Sequence, residues 1–110
     1  MNDGFKERER SMEAKWAHDE NLRFRAATRR NKLLGLWAAE AIGLEGAAAD
    51  RYANTLLDLE VRGAQDEDLV QKIHEDFASH KAAYSQHYIR RKMDELAAIA
   101  TAQIMGETTA

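Results

Sequence analysis

"NLRFRAATRRNKLLGLWAAEAIGL", residues 21–44, decides the architecture. Leu22, Ala26, Leu33, Leu34, Trp37, Ala41 and Ile42 fall on one broad face at helical spacing. Gly43 then supplies the left-handed residue that ends helices, and Leu44 is placed to fold back on the last turn. The most apolar part, residues 33–44, is interrupted by Glu40 and falls short of the roughly 20 residues a bilayer requires.

The pattern continues outward in the C-terminal direction. Ala49, Tyr52, Ala53, Leu56 and Leu59 form a second stripe, with Leu57 and Val61 on its flank and Gly63 as its stop. Asp66 or Gln65 then begins a third helix, whose early acids suit the positive end of the helix dipole. Leu69, Val70, Ile73 and Phe77 are its buried face. Ser85 is a candidate N-cap for a fourth helix, in which Ile89, Met93, Leu96, Ala100 and Ile104 step by three or four. Gly106 and the closing "ETTA" read as a frayed end. The short connections make successive helices antiparallel. The expectation is an all-α protein: a four-helix bundle over residues 20–110, with helices near 20–42, 46–62, 67–80 and 86–105. A flexible, partly helical N-terminal arm over residues 1–19 precedes it.

Composition agrees. The 110 residues include no proline, which would break helix interiors, and 45% are apolar, enough for one modest core. There is no cysteine, hence no disulfide and no thiolate metal site. No signal peptide or membrane span is evident, which points to a cytoplasmic protein that does not insert in membranes. The net charge of −3 hides a division: residues 1–32 hold nine basic against six acidic side chains, and residues 33–110 hold seven against thirteen. A basic front on an acidic body suggests an acidic partner, or contact with the body itself.

The arm, "FKERERSMEAKW" at residues 5–16, is mostly charged. Phe5, Met12 and Trp16 nevertheless fall within about 40° of one another on a helical wheel. Their burial would return roughly 5–9 kcal/mol. Ordering some fifteen residues costs about 1–2 kcal/mol each in backbone entropy. By itself such a stripe cannot hold a helix, but against a groove it can, as amphipathic anchors at i, i+4 and i+7 do. The bland reading is that the stripe packs back on the bundle.

Catalytic signatures are missing. No phosphate-binding glycine loop, dinucleotide fingerprint or H-E-x-x-H is present, and no nucleophile–base pair stands out. No two of His18, His74, His80 and His87 lie four apart on one helix, so no metal site is expected. Two basic clusters, Arg29, Arg30 and Lys32, and Arg90, Arg91 and Lys92, read first as solvated faces paired with nearby acids. They are also candidates to hold an adenine nucleotide weakly between the first and last helices. Nucleic acid is disfavoured by the acidic balance and by aromatics that are not interleaved with the basic clusters. A membrane-surface or adaptor role for residues 1–32 is a further rival.

"RRNKLLGLWAAE" at residues 29–40, "IRRKMDELAA" at residues 89–98 and the arm "FKERERSMEAKWAHDE" at residues 5–20 resemble the zeta subunit family, small bacterial inhibitors of the F-type ATP synthase. The resemblance implies a non-enzymatic inhibitor of ATP hydrolysis, monomeric when free. Its arm would fold into a helix between alpha and beta subunits of the catalytic head, near the gamma shaft, and block hydrolytic rotation. By position, the matching arm residues are Phe5, Arg8, Glu9, Arg10, Met12, Glu13, Lys15 and Trp16. Phe5, Met12 and Trp16 would be desolvated anchors, Arg8, Arg10 and Lys15 would meet acidic groups, and Glu9 and Glu13 would pair with bases. The sequence departs from the family pattern at Met12, where an aromatic is expected, and at Trp16, where phenylalanine is typical. Both keep an apolar anchor. Its second helix begins "GAAAD", poor in acids for that family.

Overall fold

The computed structural model describes residues 19–109. They form four helices: α1 (Glu20–Ala41), α2 (Gly46–Val61), α3 (Asp66–Ser79) and α4 (Gln86–Thr109). There is no strand among the described residues. The central element is α1, which packs most extensively against α2 and α4, while α3 closes the bundle against α4 and α1.

Each helix starts and stops for a local reason. The Asp19 carboxylate accepts the Leu22 N–H at 3.1 Å, and the Ser85 hydroxyl accepts that of Tyr88 at 3.0 Å. At α3, Asp68 reaches back to the Gln65 N–H at 2.7 Å. The N-terminus of α2 has no side-chain cap, in keeping with its acid-poor start. Three helices stop in the same way. Leu44 N–H bonds the Ala39 carbonyl, Ala64 the Leu59 carbonyl and Ala82 the Phe77 carbonyl, each at 2.8–2.9 Å. Each such turn needs one left-handed residue. Gly43 and Gly63 supply it at φ +86° and +94°, but in the third turn it is Lys81 at φ +58°. A side chain in that conformation costs about 1–2 kcal/mol.

The stripes meet in one core of Leu34, Ala38, Leu56, Leu69, Val70, Ile73, Phe77, Ile89 and Met93. The core extends along α1 and α4 through Ala26, Ala39, Ala100 and Ile104, all buried. At one end, Trp37 meets Phe77 edge-on at 5.5 Å, and Tyr84 and Tyr88 stack at 5.0 Å beside them. Between α2 and α3 the Tyr52 hydroxyl donates to Asp76 at 2.7 Å. Burial first, and then the Asp76 carboxylate, push the Tyr52 phenol well above its ordinary range, so it stays a donor.

Gly35 explains how α1 and α2 approach so closely. A Cβ there would stand 2.6 Å from the Ala53 Cα and 3.0 Å from the Ala53 Cβ. Real Cβ atoms do not come that near a backbone carbon, so only glycine lets the two helices touch.

One sequence expectation is corrected. The chain does not fray at Gly106: α4 continues to Thr109 rather than ending near residue 105, because Glu107 is held by arginines of α1. Val61, placed on the flank of the second stripe, is 83% exposed. It occupies the last position of α2, beyond the reach of the core.

At an exposed helix site Gly→Ala gains about 1 kcal/mol. Gly35→Ala is expected instead to lose about 1–3 kcal/mol by overpacking, read as an earlier urea midpoint at unchanged slope. Lys81→Gly is expected to raise stability by about 1 kcal/mol in the same assay, by removing the left-handed cost.

Candidate interaction site

The predicted arm residues Phe5, Arg8, Glu9, Arg10, Met12, Glu13, Lys15 and Trp16 lie outside the described residues. What the structure does show is where the arm attaches. Asp19, the N-cap of α1, has extended backbone at φ −99° and ψ 97°, and α1 begins at Glu20.

The first half of α1 is fastened on two sides. Towards α4, Arg29 donates to Gln103 at 2.9 Å and Glu107 at 2.7 Å, and Arg25 reaches the same Glu107 at 3.4 Å. These pairs are largely exposed, so each contributes at most about 1 kcal/mol. Towards α2, Glu60 accepts from the Thr28 hydroxyl at 2.8 Å and from the Asn31 amide. Asn31 is only 2% exposed, the one buried polar side chain in the described core. Its carbonyl oxygen accepts two N–H groups of Arg30, at 2.9 and 3.0 Å. Arg30 then reaches Asp66 at 2.7 Å. Among the described residues no buried side-chain polar atom lacks a partner. The chain Thr28–Glu60–Asn31–Arg30–Asp66 therefore ties the arm-bearing half of α1 to the end of α2 and the start of α3.

The two basic clusters do not form one open site. Arg30 and Arg90, from different clusters, end on adjacent carboxylates, Asp66 and Glu67, at the N-terminus of α3. Arg90 Nε and Nη2 both donate to Glu67, and this hydrogen bonding holds the Glu67 carboxyl below its ordinary range. Arg29 is committed to α4. A phosphate at Arg29, Arg30 or Arg90 would have to displace these carboxylates. Lys32 lines a groove with Phe24 and Ile104, while Arg91 lines another with Tyr88, Lys92 and Glu95. Among the described residues no group of three or more His, Asp or Glu could hold a metal ion. No helix there is long and apolar enough to cross a membrane.

The sequence reading missed the Asn31–Glu60 pair. Its signal lay in the periodicity: Asn31 is three residues before Leu34 and seven before Ala38, so it falls inside the apolar stripe of α1. A polar residue there needs a buried partner.

Comparison with known proteins completes the description of the surface. The family model for the ATPase inhibitor subunit zeta matches residues 1–103, the arm included. A solved solution NMR structure is 36% identical, covers 78% of this chain and 98% of its own, and superposes with a TM-score of 0.67. No curated protein matches.

Glu60→Ala is expected to cost about 1–3 kcal/mol by leaving the buried Asn31 amide without an acceptor. Glu60→Gln, which keeps a carbonyl oxygen, should recover most of that loss. Urea unfolding of the two variants side by side checks this.

Proposed function

The chain belongs to the ATPase inhibitor subunit zeta family, and we propose that it inhibits ATP hydrolysis by the F-type ATP synthase without itself being an enzyme. The observation that carries this reading is the family match, which runs from the first residue through the arm and most of the bundle. The inhibitory element is the segment before Asp19. It folds as a helix at an alpha–beta interface of the catalytic head near the gamma shaft, with Phe5, Met12 and Trp16 as anchors. Arg8, Arg10 and Lys15 face acids of the head, and Glu9 and Glu13 face bases. Lodged there, the helix opposes rotation in the hydrolytic direction.

The physical logic has two parts. A segment with three anchors binds only where a groove removes those anchors from water. The bundle then supplies what the arm lacks: a root fixed on both sides, at Glu60 and at Glu107, and a bulk that limits how far the chain enters. Fixing one end of the arm lowers the entropy lost when the rest is captured. Carboxylates of the bundle already engage Arg29, Arg30 and Arg90, three of the four arginines that an adenine nucleotide would need, so the inhibitor reading is the stronger one.

Deleting residues 1–18 is expected to abolish inhibition of ATP hydrolysis by the purified catalytic head. The full chain carrying Trp16→Ala should inhibit roughly tenfold less well with an unchanged melting temperature. Full inhibition by the truncated chain would sink the assignment of the arm.

A further inference from the structure

The described surface carries five exposed large apolar side chains: Phe24, Val61, Tyr84, Tyr88 and Ile99. Tyr84 and Tyr88 stack on each other and on the Trp37 cluster, so their exposure is the outer face of a packed group. Phe24 has no ring partner among the described residues, and it is 65% exposed in the second turn of α1. Isolated exposed apolar residues are common on soluble proteins and by themselves mean nothing. The position and setting of Phe24 are what give it meaning.

Phe24 stands at the edge of a shallow groove of about 240 Å³ between α1 and α4. Ile104 contributes from α4, and Arg25, Thr28, Arg29 and Lys32 line it from α1. Small-molecule clefts run to about 300–1,000 Å³, so this groove is short of that range and suits a protruding side chain of a partner protein. Its walls carry three cations. A single carboxylate, Glu107, serves both Arg25 and Arg29, and Lys32 has no acidic partner among the described residues. The groove is therefore positive, with an apolar lip.

The reach of the chain names the occupant. From Asp19 to Phe24 is five residues, about 7.5 Å along a helix. From Trp16 to Asp19 is three residues, at most about 11 Å. Phe24 thus lies within about 18 Å of Trp16 along the chain. A standard protein interface covers about 800 Å² on each side, a disc of about 16 Å radius. A partner whose footprint of about 16 Å radius is centred near Trp16 extends towards Phe24 and nearly spans that distance.

We propose that Phe24 and the basic groove beside it are a second docking surface, which receives an acidic, apolar-tipped segment of the ATPase head at the mouth of the arm's site. This rests on the reading of the protein as an inhibitor whose arm enters that head. Phe24 anchors the bundle against the outer rim of the site and so fixes the angle at which the arm leaves it. Lys32 and the half-neutralised pair Arg25 and Arg29 steer the acidic segment to the groove, an effect that salt weakens.

The test uses the full chain with Phe24→Ala, Lys32→Glu and, in parallel, Trp16→Ala, titrated against ATP hydrolysis by the purified head. Phe24→Ala is expected to raise the half-inhibitory concentration about tenfold at an unchanged melting temperature. Lys32→Glu should slow the onset of inhibition at low salt and lose that effect at high salt. An unchanged half-inhibitory concentration for Phe24→Ala overturns the proposal. So does a melting temperature lowered by several degrees, which would assign Phe24 to the fold. Loss of inhibition in Trp16→Ala with none in Phe24→Ala leaves the arm standing and removes this surface. Loss in Phe24→Ala alone keeps the surface and removes the arm.

Discussion

The bundle depends on the contact between Gly35 and Ala53. There the backbone of α1 lies against the backbone of α2 with no side chain between them. Two helices that close cannot slide or turn on each other, because the residues on either side, Leu34 and Leu56, are fully buried and interlocked. The register set at this point brings Thr28 and Asn31 opposite Glu60 about one to two turns away. It also orients the opposite face of α1, on which α4 packs. The many alanines of α1, Ala26, Ala38 and Ala39 among them, serve the same end. Small side chains let a central helix be approached from several sides at once.

A bundle built on close approach has a small apolar volume, and specificity then falls to polar contacts at its edges. Asn31 is a buried amide whose nitrogen and oxygen both have partners, so it rewards one register and penalises a shifted one. The Arg30–Asp66 and Arg90–Glu67 pairs bring α1 and α4 to the same end of α3, where the helix dipole also favours the two acids. One arginine from each of the two basic clusters, Arg30 and Arg90, is thus closed by a carboxylate at this seam. The aromatic group at Trp37 seals one end of the molecule, while the end that bears the arm is held by hydrogen bonds and ion pairs. The structural division follows: one end packed and apolar, the other polar, with Phe24 exposed.

Most of the fold was legible. All four residues named for the third helix and four of the five named for the fourth are buried in the structure, because helical periodicity is a local property of the chain. Gly43 and Gly63 announced their turns, since glycine is the residue that needs no compensation at positive φ. The third turn, at Lys81, gave no such sign. A lysine there is tolerated only because the Ala82 N–H to Phe77 carbonyl bond and the burial of Phe77 hold the turn in place. The continuation of α4 past Gly106 was equally silent, since it comes from arginines about eighty positions earlier. For the proposed site, Trp16 and its companions stand in the sequence as a stripe that resembles the family motif, and they lie outside the described residues. Phe24 was not legible, because exposure cannot be read from a residue flanked by apolar and basic neighbours alike.

By itself, the sequence determined the helices, the buried faces of the third and fourth, and the family to which the chain belongs. Each of these is carried by residues within a few positions of one another, or by a pattern of identities. In α1, by contrast, only Ala26 and Leu34 of the seven named residues are buried, beside Asn31, Gly35, Ala38 and Ala39. Only the tertiary structure decided which helix is central, where the basic clusters are neutralised, that Asn31 and Glu60 meet, and that Phe24 is left facing water. The reason is that these depend on how closely two helices can approach. Here a single missing methyl group at Gly35 sets that distance, and its consequence appears only when Ala53 arrives from the other side of the turn.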